Sequence, residues 1–364
     1  MAPTREAGHR TDERDVMFAR AARRPGTPAY DEYYARRPER RATDDHLRSL
    51  PDLLVPGGRH YDERVCREAA EYFRAIESLV PEPGVVTRLA AALRGARDVT
   101  DVVRRELVAM GALAVGTTRV DQRFVYTHKG RFDEDYGEPI DLPHPRAVVF
   151  LVEMDTDAMW QAPEAPAIRE SARQYWRAAM LALTLEAALR AAGFQAKAHY
   201  DAHYDVILPP LAVAAGLGEM GRHNILVADR AGTRVRIGAV TTDAPVPDGR
   251  PVTLGVSRFC EHCKKCATCC PSRALSAGAP VLDEGVARWP TLVERCYGYW
   301  RTVGTDCGIC MAVCPFSHPD TPLHRLVRAA LRRMPGLARV ALWFDDRLYG
   351  RSWAERQRRG RRQV

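Results

Sequence analysis

Two cysteine runs carry the most specific chemistry in this sequence. The first is Cys260-x2-Cys263-x2-Cys266-x3-Cys270-Pro271, and the second is Cys296-x10-Cys307-x2-Cys310-x3-Cys314-Pro315. Thiolates are soft ligands, and three at CxxCxxC spacing wrap one corner of an iron–sulfur cube. Zinc takes four N or S ligands per site and favours paired CxxC knuckles across a spacer, a poorer match to these runs. A disulfide framework does not fit either: of ten cysteines, only Cys66 lies outside this region.

In bacterial two-cluster ferredoxins the last cysteine of each run crosses over to the other cluster. That rule assigns Cys260, Cys263, Cys266 and Cys314 to one [4Fe–4S] centre, and Cys270, Cys296, Cys307 and Cys310 to a second. The prolines after Cys270 and Cys314 match the same ending. Cys269 has no place in the pattern. Cys66, on a helical pattern far upstream, reads as a small buried hydrophobe.

With 364 residues, 46% of them apolar, the chain has room for a substantial core and an appended module. No apolar run approaches the ~20 residues that a membrane span needs. The arginine pairs Arg23-Arg24, Arg36-Arg37 and Arg40-Arg41 lack the apolar segment of an export signal. A cytoplasmic location is therefore expected, where thiols stay reduced. The formal charge of +8 is concentrated in residues 321–364, where twelve arginines face three acids. No nucleic-acid motif accompanies them, so neither nucleic acid nor membrane is an expected partner. The basic tail reads as a solvated arm or a docking surface for an acidic electron carrier.

The rest of the chain has to position these cysteines. Residues 1–60 are polar and punctuated by proline, and are expected to form an extended N-terminal arm that buries Tyr30, Tyr33 and Tyr34 against a globular body. The spacing of Val65, Ala69, Tyr72, Phe73, Ile76 and Val80 predicts a helix over 62–80, stopped by Pro81. Shorter helices are predicted over 85–93 and 100–110, the second capped by Thr100. The run AVVFLVEM predicts a buried strand over 147–154. Leu181, Leu185 and Leu189 mark one face of a long helix over 167–192, which Gly193 ends. Further strands are predicted at 194–199, 205–208 and 233–241, with Pro209 opening a short helix. Helices alternating with buried strands give an α/β or α+β core over 61–250. An iron–sulfur module over 251–320 and a basic helix and tail over 321–364 follow.

A second loaded stretch is AGLGEMGRHN, residues 215–224. Gly216-x-Gly218-x-x-Gly221 fits a dinucleotide fingerprint, but it follows a short helix and precedes a strand, the reverse of what that fingerprint requires. The glycines instead mark a close approach of backbone. Asp201-Ala-His203 lacks the downstream glycine of a cobalt-ligating Asp-x-His-x-x-Gly, and reads as polar residues near a strand end.

Taken together these segments resemble the reductive dehalogenases. AGLGEMGRHNILV, GTRVRIGAVTTDAPV, FCEHCKKCATCCPSRAL and CGICMAVCPFSHPD run in that family's order and spacing. RPGTPAYDEYYARRPE and DDRLYGRSW are similar to its cytoplasmic, non-respiratory branch. The resemblance implies a nitroreductase-like core enclosing base-off cobalamin, and a ferredoxin-like module carrying both clusters. It makes Gly216, Leu217, Gly218, Glu219, Gly221, Arg222 and Asn224 cofactor-binding candidates; Arg258, just before Cys260, reads as either a further cation near the corrin or the cap of a loop.

The activity so implied is removal of halide from a small organohalide of haloaromatic type. The family's proton donor is a tyrosine placed by a cationic Lys or Arg. By position relative to the cluster motif, Tyr136 in DEDYGEP matches the donor and Lys197 in FQAKAHYD the cation, with Tyr126 as rival. Electrons are expected from an external low-potential donor of ferredoxin or flavodoxin type. Epoxyqueuosine reductase, which acts on tRNA, shares the cobalamin core and two-cluster module, but the arm and GTDCGICMAVCPFSH favour a dehalogenase. A plain ferredoxin-type carrier would leave about 250 residues ahead of the clusters without a purpose.

Overall fold

The computed structural model describes residues 10–283 and 286–360. Its main sheet contains β1 (Ala114–Arg119), β2 (Arg146–Glu153), β3 (Ala196–His199) and, after the short strands β4 (Gly218–Met220) and β5 (Leu226–Ala228), β6 (Val235–Thr242). The order is β1-β2-β6-β3 and every pairing is antiparallel. The architecture is mixed, with an antiparallel sheet and flanking helices, on the α+β side of the expectation.

Strand β2 explains the layering. Its side chains alternate between faces, and both faces are covered. Val148, Phe150 and Val152 join Leu181, Leu185 and Leu189 of the long helix Ala165–Ala191. Ala147, Val149 and Leu151 turn to Leu211 and Ala212 of the short helix Leu208–Ala214. An apolar run without alternation is what a strand buried on both sides needs. Gly238 on β6 lets the long helix lie close: a Cβ there would sit 2.5 Å from the Phe150 ring and 3.3 Å from the Ala178 carbonyl.

Most predicted elements form, with shifted ends. The helix expected over 62–80 spans Glu63–Glu77, and the Asp62 carboxylate accepts from the Val65 N–H at 2.9 Å. The next two span Pro83–Arg94 and Val99–Ala109. Asp98, not Thr100, caps the latter, accepting from the Thr100 N–H at 2.8 Å. Asp98 wins because Thr100 already lies inside the first turn. The strand expected at 205–208 is absent: Val206 makes a single bridge to Val125, and a helix starts at Leu208.

The N-terminal segment corrects the sequence reading more deeply. It is not extended but mostly helical over Met17–Ala22, Pro28–Arg36 and Arg41–Ser49. Tyr30, Tyr33 and Tyr34 are buried as expected, but against one another, and their hydroxyls donate to Asp45, Asp15 and Asp44. A face built of tyrosines and ion pairs leaves no aliphatic period to read. Arg20, buried, pairs with Asp44 at 2.6 Å and with Glu294 at 2.7 Å. Arg301 donates to Asp52 at 2.6 Å and to the Leu50 carbonyl at 2.5 Å. Both contacts grip the helix Val293–Val303, which carries Cys296. At the other end, helices Pro322–Arg333, Ala338–Tyr349 and Trp353–Gly360 follow the cysteines. Residues 1–9 of the predicted arm and 361–364 of the predicted tail lie outside the described residues. No described helix is long and apolar enough to cross a membrane.

Two buried histidines are held neutral by the backbone. His199 Nδ1 accepts from the Asp205 N–H at 3.2 Å, and His223 Nδ1 from the Ile225 N–H at 3.1 Å. Burial lowers their pKa values to about 3 and about 4. A depressed folded-state pKa gives stability that is complete above the unfolded value and lost as pH falls through the folded one. The urea midpoint should therefore drop as pH is lowered from about 6.5 towards about 4. Each histidine contributes at most about 1.4 kcal/mol per pH unit in that window. His199→Gln should flatten the profile, and a native midpoint that ignores pH across the window would contradict the assignment.

Candidate functional site

The cysteines are positioned by short helical turns broken at left-handed residues. Cys260 and Cys263 lie on the helix Val256–Cys263, which ends at Lys264 with φ 55°. The chain then restarts as Lys265–Thr268, carrying Cys266. The second run repeats the device with Cys307 at φ 58° and Gly308 at φ 73° before Ile309–Ala312, which carries Cys310. Such φ values cost little at Gly308 but are strained at Lys264 and Cys307. The sharp reversals they permit curl each run around a centre.

The thiols of the two runs lie close enough to perturb one another. Burial, and then Cys314 and Cys260, push the Cys263 thiol up. Burial raises Cys266 too, with Cys314, Cys310, Cys260 and Cys263 adding to it. In the second group, burial and then Cys270 lift Cys296 to about 11. Burial, Cys296 and Cys270 act on Cys307, which reaches about 12, and Cys310 is raised by burial, Cys307, Cys296 and Cys270. Cys314 thus lies near Cys260, Cys263 and Cys266, and Cys270 near Cys296, Cys307 and Cys310, while Cys310 also reaches Cys266. Among the described residues no group of three His, Cys, Asp or Glu side chains is drawn tightly enough for one metal ion. A four-iron cube holds its thiolates further apart than a single ion does. Cys269 faces elsewhere, its Sγ 3.9 Å from the Arg351 carbonyl. Cys66 is buried with Val65 and Ala165, as a small hydrophobe.

The glycine-rich turn is structural in its side chains. Glu219 accepts from the Leu254 and Val256 N–H groups at 2.8 and 2.7 Å. Arg222 is buried, donates to the Cys260, Ser276 and Gly278 carbonyls, and lies over the Trp289 ring. Asn224, at φ 55°, donates to the Trp289 carbonyl and Thr291 hydroxyl. Gly216 has φ 78°, and a Cβ on Gly218 would meet the Val227 carbonyl at 2.4 Å. Leu217 is buried, and a Cβ on Gly221 would meet the His223 ring. These residues fasten the first quartet to the core. Arg258 is exposed on the helix Val256–Cys263.

Tyr136 and Lys197 are not brought together as a donor and its cation. The Tyr136 hydroxyl donates to Glu32 at 2.5 Å, and its ring packs beside the arm tyrosines under Arg23. Burial and then Glu32 push its pKa up, the opposite of activation. Lys197 is ion-paired with Asp205, which Lys129 also holds. Tyr126 is buried, 5.8 Å from the Tyr204 ring. In both predicted positions a neighbouring carboxylate takes the group that the reaction needs.

The sequence reading missed a different pair. Arg236 on β6 lies 4.4 Å from the centroid of the Tyr175 ring on the long helix. Its guanidinium donates to Asp306 at 3.2 Å and to Ser171, whose hydroxyl donates to Asp306 at 2.6 Å. Asp306 directly precedes Cys307. Arg131, Asp201 and Tyr204 act electrostatically on the same tyrosine or its neighbours. Arg131, Tyr175, Asp201, Tyr204, Arg236 and Asp306 keep partial solvent contact, whereas Ser171 is buried beneath them. Burial pushes Tyr175 up to about 12 against the pull of Arg236, so the phenol carries its proton at neutral pH. The signal was present: Ser171 and Gln174 break the apolar face of the long helix, and Arg236 breaks a largely buried strand.

Eight partly or fully buried thiols drawn together beside an α+β core form a donor set suited to iron–sulfur chemistry. No family model matches the chain. It is similar to a tetrachloroethene reductive dehalogenase of Sulfurospirillum multivorans, 28% identical over 288 residues, covering 70% of this chain and 57% of that one. A second, from Desulfitobacterium hafniense, is 31% identical over 234 residues, covering 61% and 42%. The solved catabolic reductive dehalogenase NpRdhA overlays with a TM-score of 0.73 at 24% identity, covering 98% of this chain and 48% of that one. Another structure of that enzyme contains 3-bromo-4-hydroxybenzoic acid. Epoxyqueuosine reductases match over a smaller share, 38% of this chain for the Escherichia coli enzyme. The sequence comparisons support kinship with the reductive dehalogenases. It spans about half the length of the curated relatives it matches.

Two four-iron clusters correspond to about eight iron atoms per chain. Anaerobic reconstitution should reach that content in the native protein and in Cys269→Ser, while Cys296→Ser should lose iron and the spectroscopic signal of one cluster. Iron retained by Cys296→Ser and lost by Cys269→Ser would overturn the assignment.

Proposed function

We propose that this protein carries out reductive dehalogenation of a haloaromatic substrate. In this reading base-off cobalamin is bound beside two [4Fe–4S] clusters, and a ferredoxin- or flavodoxin-type donor supplies electrons in the cytoplasm. The observation that carries the reading is the Tyr175–Arg236 pair, tied to the cysteine loop through Asp306, the residue before Cys307. It sets a protonated phenol, a fixed cation and a cluster-bearing loop in one neighbourhood.

The donor set fits both cofactors. Thiols raised by burial and by each other become favourable ligands once iron supplies positive charge. Arg236 Nε and Asp306 Oδ1 are buried without a hydrogen-bond partner among the described residues, which leaves polar atoms for a ligand to satisfy. Residues 216–224 brace the site from behind, because Glu219, Arg222 and Asn224 have committed their side chains and Gly216, Gly218 and Gly221 abut the Arg250 carbonyl, the Val227 carbonyl and the His223 ring. When bound, reduced cobalamin supplies the strong reductant that this reaction requires.

The chain's residues account for the rest of the balance. Two electrons and one proton replace a carbon–halogen bond by carbon–hydrogen and release halide. Tyr175 gives the proton from its hydroxyl. Arg236 stabilises the phenolate that remains, since a cation near a phenol favours its charged form. Ser171 and Asp306 hold the guanidinium in position. Tyr175, Tyr204 and Phe132 offer aromatic walls, and Arg131 a cation for a phenolate or carboxylate on the ring. The bromohydroxybenzoate held by NpRdhA has this chemistry.

Tyr175→Phe deletes only the acidic proton and should lower dehalogenation about 10²- to 10⁴-fold with iron content unchanged. Arg236→Met should cost less than losing the donor itself, and the double variant should be little worse than Tyr175→Phe, because the two act as a unit. Tyr136→Phe should stay active. Full activity in Tyr175→Phe with loss in Tyr136→Phe would return the donor to the arm-facing tyrosine.

A further inference from the structure

The last two long helices carry apolar side chains into solvent. On Ala338–Tyr349, Val340, Trp343, Phe344 and Leu348 share one face, and Trp343 is 61% exposed. On Pro322–Arg333, Leu326 is 67% exposed beside Leu323. Single exposed hydrophobics are ordinary, but a contiguous aromatic and aliphatic face marks an interaction surface.

Charge and position say what covers it. Arg333, Arg339, Arg347 and Arg351 are exposed around the apolar side chains. Of the nearby acids, Asp345 is buried against Lys265 and His318 and Asp346 lies 2.7 Å from Lys265, which leaves Glu261 as the exposed acid beside four exposed arginines. A surface groove of about 550 Å³ runs between Glu261, His262 and Lys264 on one side and Arg339, Trp343 and Arg351 on the other. Residues 261–264 lie between Cys260 and Cys266, so the groove lies against the loop of the first quartet.

We propose that this face docks an acidic, low-potential ferredoxin-type carrier, which hands one electron at a time to the first quartet's cluster. The inference rests on the cluster reading above. The carrier is oxidised by one electron, the cluster is reduced by one, and no atoms move. Aromatic and arginine side chains are the residues that anchor protein partners, and a basic rim steers an acidic one. A second copy of this chain across a two-fold axis would set arginine against arginine. A bilayer is too flat to reach the groove beside Glu261.

The test uses anaerobic holoprotein and a plant-type acidic [2Fe–2S] ferredoxin, with binding measured by biolayer interferometry across a salt series. Arg339→Glu combined with Arg351→Glu should weaken binding at least about ten-fold and flatten its salt dependence. Trp343→Ser should weaken it about ten-fold at every salt concentration. Titanium(III) citrate should reduce the clusters of all variants as fast as native, which also reports that they are folded. Equal ferredoxin binding by native and variant proteins would overturn the proposal. So would a face that instead binds phosphatidylglycerol vesicles, or one that holds a dimer which these substitutions dissolve. If ferredoxin binds and reduces the native clusters while no organohalide turns over, the docking face stands and the dehalogenase reading falls. If titanium-driven dehalogenation proceeds but ferredoxin ignores the substitutions, the reverse holds.

Discussion

Holding four thiols within reach of one another, twice over, is unfavourable for a protein interior. Burial raises Cys263, Cys266, Cys307 and Cys310, and neighbouring sulfurs raise them further. Much of the structure can be read as the means of enforcing that arrangement. The left-handed residues Lys264, Cys307 and Gly308 set the curl of each run. Arg222 ties the Cys260 carbonyl to the glycine-rich turn. Arg20 and Arg301 fix the helix that brings Cys296 to the second group from well upstream of its neighbours. Each device is a polar contact to backbone or carboxylate. Such contacts specify geometry, whereas apolar packing alone would tolerate sliding.

The sheet and the cysteines were legible because their signals are local. An eight-residue apolar run and CxxCxxC spacing each sit in one window of sequence. The Tyr175–Arg236 site was not, because it is assembled from a helix, a strand and a loop that carry no shared motif. Tyr175 and Arg236 lie inside regular elements, where the readable feature is only an interruption of apolar pattern. Tyr136 and Lys197 drew attention through nearby acids and aromatics. Those same acids, Glu32 and Asp205, hold them in structural pairs. The arm hid its helices for a related reason, since tyrosine and ion-pair faces have no aliphatic period.

Asp306 joins two halves of the proposed chemistry. Its carboxylate takes Arg236 and Ser171, while the next residue is Cys307, a ligand in the proposed second cluster. A change of charge at that cluster would be felt first by Asp306 and then by the guanidinium over Tyr175. Proton donor and electron source thus share a single connecting residue, not merely a neighbourhood.

The arm's grip on the Cys296 helix has a consequence for the order of assembly. Arg20 and Glu294 are 274 residues apart in the chain, so the arm is synthesised long before its partner exists. Contacts of such separation form late, because a long loop has to close before they are rewarded. Until then Arg20 can hold Asp44 alone, and Cys296 has no fixed address. A maturation system that loads iron on this protein during synthesis would find the first quartet's opening CxxCxxC run well before the second group can close. Insertion at the second centre then waits for a segment made 274 residues earlier to complete its last contact.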